Sequence, residues 1–438
     1  MKLRRARRLA CLAASWLPLG LWVEPATAQL LGPEFQVNSY TTTIPRFAEV
    51  AADGSGNFVV VWDSFAQDGS EWGVFGQRYD SAGIPVGSEF QVNSYTTGQQ
   101  YRPKVAADAA GNFVVVWSSR PQDRSWTGVF GQRFAATGLP EGSEFQVNTY
   151  TTGDQEIPDV AADSSGNFVI VWQSADQDGS SEGVFAQRFN SAGSRLGSEF
   201  QVNSHTTDAQ QLPAIAMEGS GNFVVVWTGL NQDGDQFGVF GQRFNAMGSR
   251  EGGEFQINSY STHHLHSPAV ATDGTGNFVV VWHSGTSEGN SSHEGVFGQR
   301  FDSVGSRVGN EFQINSYTTT WLVSPAVAAD GAGNFVVVWE NYGRDGSLGG
   351  VFGQRFDSAG LPLESEFQVN SYTTGYQSNP SVAADGSGNF VVAWLSNTGQ
   401  AGSGSGLFGR KMNISILANG FELGDACAWS VAVGGGCP

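Results

Sequence analysis

The sequence has 438 residues, 22 basic against 41 acidic side chains (formal net charge −19), 59 glycines, 30 phenylalanines and 13 tryptophans. Such a charge argues against nucleic acid and anionic membrane surfaces as partners, because their phosphates would be repelled. A chain rich in Val, Thr, glycine and aromatic residues, with no sustained period near 3.6, excludes a helical fold and predicts turn-rich β structure.

Residues 1–28 read as a secretory signal peptide. MKLRRARR is basic, LACLAASWLPLGLWV is apolar, and Ala26-Thr27-Ala28 is a small-residue cleavage site. Its removal leaves 17 basic and 40 acidic residues, a net charge of −23. No later stretch is apolar enough to span a bilayer. The expectation is an exported, monomeric protein, extracellular or periplasmic.

From Glu34 the chain repeats. GNFVVVWDS at Gly56 returns in close variants at Gly111, Gly166, Gly221, Gly276, Gly333 and Gly388, spaced by 55, 55, 55, 55, 57 and 55 residues. In the first copy strand a is expected over Ala48–Ala52, followed by the turn Asp53-Gly54-Ser55-Gly56. Strands b, c and d are expected over Asn57–Trp62, Gly73–Tyr79 and Glu89–Asn93. Strand b is apolar on both faces and must be covered on both. Four short strands stacked between two like neighbours describe a blade, so residues 29–413 are expected to form a seven-bladed β-propeller. The chain opens with an orphan d strand, EFQVN at Glu34–Asn38, and the last copy (Pro380–Met412) lacks one. The N-terminal strand is therefore expected to complete the last blade. The alternative is a linear array of small sandwiches, which would leave apolar faces and sheet edges in water. Arg78 and Glu89, symmetric about the c–d loop, are expected to sit opposite each other, as are their counterparts down to Lys411 and Glu34.

Antiparallel topology places the a–b and c–d turns on one face and the d–a and b–c loops on the other. The first set barely changes between copies (ADGSGN, ADAAGN, ADSSGN) and the second set varies. A constant scaffold with one varied face is how loop-borne binding sites are built. The non-repeated aromatics Trp72, Trp126, Tyr101, Phe237, Trp321 and Tyr376 fall in those loops and suit stacking on sugar rings or anchoring a protein. Six residues beyond the repeated Trp stands an acid in six copies, Asp68, Asp123, Asp178, Asp233, Glu288 and Asp345, and Gln400 in the seventh. A ring of carboxylates suits cations or sugar hydroxyls, and the competing reading is an Asx-type turn. The a–b turns, Asp53-x-Ser55-x-Asn57 and its copies, begin like a calcium loop but are too short, and read as hairpin turns. Five histidines crowd one blade: His263, His264 and His266 before strand a, and His283 and His293 around the b–c loop. Imidazoles in this number suit Zn²⁺, Cu²⁺ or Ni²⁺, with Glu288 and Glu294 as further ligands, against the reading of a solvated His-rich loop. No other cofactor is expected.

Residues 414–438 form a tail outside the repeat. Cys427 and Cys437 are the only cysteines beyond the signal peptide, so a disulfide between them is expected in an oxidising compartment. The tail resembles the FExGDxxxWS endings of some secreted bacterial proteins, through Phe421-Glu422, Gly424-Asp425 and Trp429-Ser430. The repeat GNFVVVWxS…GVFGQRF…EFQVN, from Glu34 to Met412, resembles β-propeller repeats of secreted and surface proteins of bacteria. That resemblance implies an extracellular repeat domain and no defined activity. There is no GxSxG elbow between a strand and a helix, no HExxH and no P-loop. The function expected is a binding or adhesion module with a glycan, surface polymer or surface protein on the varied face. The alternatives are a hydrolase or lyase using carboxylates such as Asp68 and Asp178, and a structural matrix protein.

Overall fold

The computed structural model describes residues 32–413, except 235, 260–263, 286–294, 318–321, 398 and 403. Every regular element among the described residues is a β-strand, and they group into four-stranded antiparallel units. In the first unit strand a is Pro45–Ala52, b Phe58–Phe65, c Trp72–Tyr79 and d Pro85–Gln91. The last unit pairs Gln377–Ala384, Asn389–Ser396 and Gly406–Asn413, and its fourth strand is the N-terminal Phe35–Gln36, with Phe35 opposite Gly409.

The repeated residues account for the repeated structure. In each a–b turn an acid caps the chain: the Asp53 carbonyl accepts the Gly56 N–H at 3.1 Å, and Gly56 takes φ 81°, which a side chain would resist. Asp53 Oδ1 accepts the Ser55 and Asn57 N–H groups at 2.8 and 2.9 Å, and Oδ2 the Asn57 amide at 2.8 Å. These carboxylates are spent on the hairpin turn, as the turn reading expects. Phe58 and Tyr79, opposite each other across b and c, stack with ring centroids 4.7 Å apart; the same pair recurs as Phe113/Phe134 and Phe168/Phe189. Gly76 lies against the Phe90 ring, where a Cβ would come within 2.8 Å; six copies have Gly there and the third has Ala186, opposite Phe200.

Strand b is apolar on both sides because it serves two cores. Phe58, Val60 and Trp62 pack with Val391, Ala393 and Leu395 of the last unit, whereas Val59 and Val61 pack with Phe113, Val115 and Trp117 of the second. The seven repeated tryptophans, 62 to 394, are at most 1% exposed. Each strand a contacts strand a of the next unit, and Pro45–Ala52 contacts Gln377–Ala384 of the last. Strand a thus lies innermost, with d outermost.

Strand d departs from the expectation. It starts at Pro85 and shifts register between Gly76/Phe90 and Arg78/Val86, with Gly87 at φ 76°. The bulge moves Glu89 away from Arg78, so the expected cross-strand pairs do not form. Arg78 instead donates to the Ala136 and Thr137 carbonyls of the next unit, at 2.5 and 2.6 Å. Glu89 accepts the Ser39 N–H and hydroxyl at 2.7 and 2.8 Å, and the Gln67 amide. Both side chains join units rather than mark register. Glu34 repeats the contact, accepting the Ser371 N–H, and Lys411 donates to the Ser81 carbonyl instead of meeting Glu34. The ion pairs that do bridge c and d are shorter-range, as in Arg133–Glu141 at 2.5 Å.

Candidate functional site

Every strand a carries an extra residue relative to its partner b. In the first unit Arg46 faces Asp63 but Glu49 faces Val61, and Phe47 between them has φ 48°. The equivalent residues Arg102, Ile157, Leu212, Ser267, Ser324 and Asn379 also lie in the left-handed region, at φ 49–55°. Such a conformation costs a non-glycine residue of order 1–3 kcal/mol and must be held by its surroundings. In four units a side chain following the repeated Trp of the preceding unit accepts the bulge N–H, the fourth being Glu340 to Asn379. Asp63 Oδ2 accepts the Arg102 N–H (3.4 Å), Ser118 Oγ that of Ile157 (3.3 Å) and Gln173 Oε1 that of Leu212 (3.1 Å).

These bulges ring an axial pocket of about 450 Å³ to which all seven units contribute. The pocket is not uniform. Two residues past each bulge the chain has Glu49, Lys104, Asp159, Ala214, Ala269, Ala326 and Ser381, so units one to three bring charge and units four to six bring methyl groups. Lys104 is ion-paired with Glu49, whose second oxygen accepts the Ser381 hydroxyl at 2.8 Å. Burial opposes the Lys104 charge, but Glu49 and Asp159 outweigh it and hold the ammonium above its ordinary range. About a third of the Lys104 side chain stays exposed in the pocket. Asp159 accepts the Ile215 and Val160 N–H groups at 2.9 and 3.0 Å. Burial pushes its carboxyl up to about 6 against the pull of Lys104.

At the mouth, on the face of the d–a and b–c loops, the same units carry a polar and aromatic cluster. Arg46 pairs with Asp63 at 2.9 Å, and its guanidinium lies 3.2 Å from the centroid of Trp72. Asp63 is wholly buried, which lifts its carboxyl to about 6 despite Arg46. The Tyr101 hydroxyl donates to Glu156 at 3.4 Å. Burial raises the Glu156 carboxyl, and the nearby charge of Arg102 counters it. Across the ring burial also raises Glu340, and with Glu340 it lifts the Tyr342 hydroxyl to about 12.

Of the residues expected from sequence, Trp72 and Tyr101 belong to this cluster. Trp126 stands beside it, 59% exposed, with the Arg120 guanidinium 4.9 Å from its ring. Phe237 packs on His266 at 4.8 Å, and Tyr376 meets Tyr342 edge-on at 5.9 Å. The carboxylate ring belongs to its turns. Oδ1 of Asp68, Asp123, Asp178 and Asp345 accepts the N–H two residues on, at 2.9–3.2 Å, and Asp233 Oδ2 accepts the Gln256 amide at 2.8 Å. That geometry matches the Asx-turn reading rather than a ligand ring. His266 and His283 face each other across a and b, two residues after His264 in the same strand. Among the described residues no group of three or more His, Cys, Asp or Glu side chains is placed to hold a metal. His263, His293, Glu288, Glu294, Trp321, Cys427 and Cys437 lie outside the described residues.

Sequence reasoning missed Arg46, Glu49, Asp63, Arg102, Lys104, Glu156 and Asp159. The signal was present in the alignment of the copies. Strand a reads EVAAD, KVAAD, DVAAD, AIAME, AVATD, AVAAD and SVAAD, and its first position alone changes character throughout. The position after the repeated Trp changes likewise, as Asp63, Ser118, Gln173, Thr228, His283, Glu340 and Leu395.

No protein-family profile matches the chain, and no curated protein sequence does. Solved structures do. An ulvan lyase, a polysaccharide lyase, is 10% identical with a TM-score of 0.54, covering 86% of this chain and 95% of its own. A protein of unknown function from Dyadobacter fermentans is 8% identical with a TM-score of 0.51, covering 87% and 97%. An α-L-arabinofuranosidase from Fusarium graminearum is 13% identical with a TM-score of 0.48, covering 72% of this chain and 92% of its own. At such identities the likeness is one of fold: the chain is an all-β protein of repeated four-stranded sheets arranged as in the first two structures.

Proposed function

We propose that the chain is an exported glycan-binding module, a seven-bladed β-propeller closed by its N-terminal strand, with the ligand over the axial pocket on the face of the d–a and b–c loops. The contact of the first strand a with the last, and the apolar core shared by those two units, support the closed ring. One observation carries the functional reading: seven near-identical units diverge where their strands a converge, and there Phe47, Glu49, Arg102, Lys104 and Asp159 line one pocket, with the Arg46–Trp72 and Tyr101–Glu156 contacts on the residues adjoining Phe47 and Arg102. Half-buried aromatic rings beside polar groups, as Trp72 and Tyr101 are, suit sugar rings. The ulvan lyase of similar fold is named for action on a polysaccharide, which agrees with the ligand class.

A glycan array followed by calorimetry tests the proposal. Wild-type protein should bind a defined glycan without releasing product, and Trp72→Ala should weaken binding about tenfold, the loss of one stacked ring and of the partner that orients Arg46. Unchanged affinity in Trp72→Ala and Trp126→Ala would move the site elsewhere, and no binding to any glycan would reject the reading. A second reading, a hydrolase or lyase, is favoured by the Tyr101–Glu156 contact, where a half-buried carboxyl with a raised pKa meets a hydroxyl. Product release from the bound glycan, abolished in Glu156→Gln, would replace the binding module with the enzyme.

A further inference from the structure

Within the pocket proposed above, the cations differ in how they are satisfied. Arg46 is paired with Asp63 and stacked on Trp72. Lys104 is paired with Glu49. The Arg102 guanidinium, half-buried at the pocket wall, has the Phe47 ring at 5.5 Å and acts on Glu156 through its charge; among the described residues it makes no ion pair and no side-chain hydrogen bond. The carboxylates around it are already engaged: Asp63 with Arg46 and the Arg102 N–H, Glu49 with Lys104 and Ser381, Asp159 with two backbone N–H groups, and Glu156 with Tyr101. A planar fork of donors without a partner, beside an aromatic ring and in a pocket of about 450 Å³, suits a planar two-oxygen anion carried on a ring-shaped ligand.

We infer that the pocket recognises a carboxylated sugar, with Arg102 binding its carboxylate and Phe47 flanking the ring. This rests on the glycan-binding reading. The net charge of −19 narrows it further, since a long polyuronate would be repelled by the rest of the protein whereas a single acidic residue ending a neutral oligosaccharide would not.

The test compares neutral oligosaccharides with the same structures capped by one glucuronate or one sialic acid, and the best acidic binder with its methyl ester. Arg102→Asn is the variant, because Asn tolerates the left-handed backbone and already occupies the equivalent position as Asn379, at φ 49°. The acid-capped glycan should bind about tenfold or more tightly than its ester, and Arg102→Asn should remove that difference, lowering acid affinity at least to that of the ester. Equal affinity for acid and ester, or a preference that survives Arg102→Asn, would overturn the inference and leave glycan binding intact. Failure of every glycan to bind would overturn both.

Discussion

At the scale of single residues, the axial site is built from groups that burial holds away from their ordinary ionisation. Asp63 and Asp159 are lifted from 3.8 to about 6, chiefly by loss of water and against the pull of Arg46 and Lys104. Between those values the folded protein keeps protons that the unfolded chain releases. Stability should therefore be full below about pH 4, fall as pH rises to about 6, and stay level above. For wholly buried Asp63 the interval corresponds to roughly 3 kcal/mol at about 1.4 kcal/mol per pH unit. Asp159→Asn cannot ionise but keeps an oxygen to accept the Ile215 N–H. Thermal melts between pH 4 and 7 should show a smaller fall for this variant by a few degrees. A slope identical to wild type would mean that Asp159 titrates as an ordinary carboxylate.

At the scale of elements, the c–d hairpin shows why pairing cannot be read from symmetry about a loop. The bulge at Gly87 and its counterparts displaces strand d, so Arg133 meets Glu141, eight residues on, rather than Glu144. Glu144 instead accepts the Ser94 N–H and hydroxyl at 2.6 and 2.9 Å, tying two units together. Double-mutant cycles to Ala should separate the roles. Arg133 and Glu141 should couple by about 0.2–1 kcal/mol, and Arg133 and Glu144 by less than about 0.3 kcal/mol. Glu144→Ala alone should cost about 1–2 kcal/mol through its lost hydrogen bonds. Coupling of Arg133 with Glu144 as large as with Glu141 would restore the register expected from sequence.

At the scale of the whole molecule, stability rests on faces that only a neighbour covers. The last unit depends on Phe35–Gln36, whose ring lies on Gly409 and whose flanking Glu34 is tied to Ser371. Secretion of a chain lacking residues 29–38 should yield a protein that melts at least several degrees lower and self-associates, because the edge of Gly406–Asn413 is then unpaired and Tyr79 and Trp62 lose cover. Light scattering and a thermal melt would check this. A monomer of unchanged melting temperature would show that the N-terminal strand does not close the fold.

The strand order and the two-faced apolar cores were legible because a repeat states its local pattern seven times, and alternation along strand b assigns its faces without reference to anything distant. The site was legible only in part. Trp72 and Tyr101 stood out as aromatics that break the repeat, but Glu49, Lys104 and Asp159 sit in a strand whose remaining residues look like scaffold. Their meaning depends on strand a being innermost, where one position from each unit converges on a single pocket. Residues 55 apart in the chain become neighbours there, as Lys104 does to Glu49. The periodic sequence by itself determined the unit and its need for covered faces, since both follow from local alternation and turn chemistry. Tertiary structure decided which variable positions meet at the axis and which charges remain unpaired, because convergence and burial arise only when all seven units pack together.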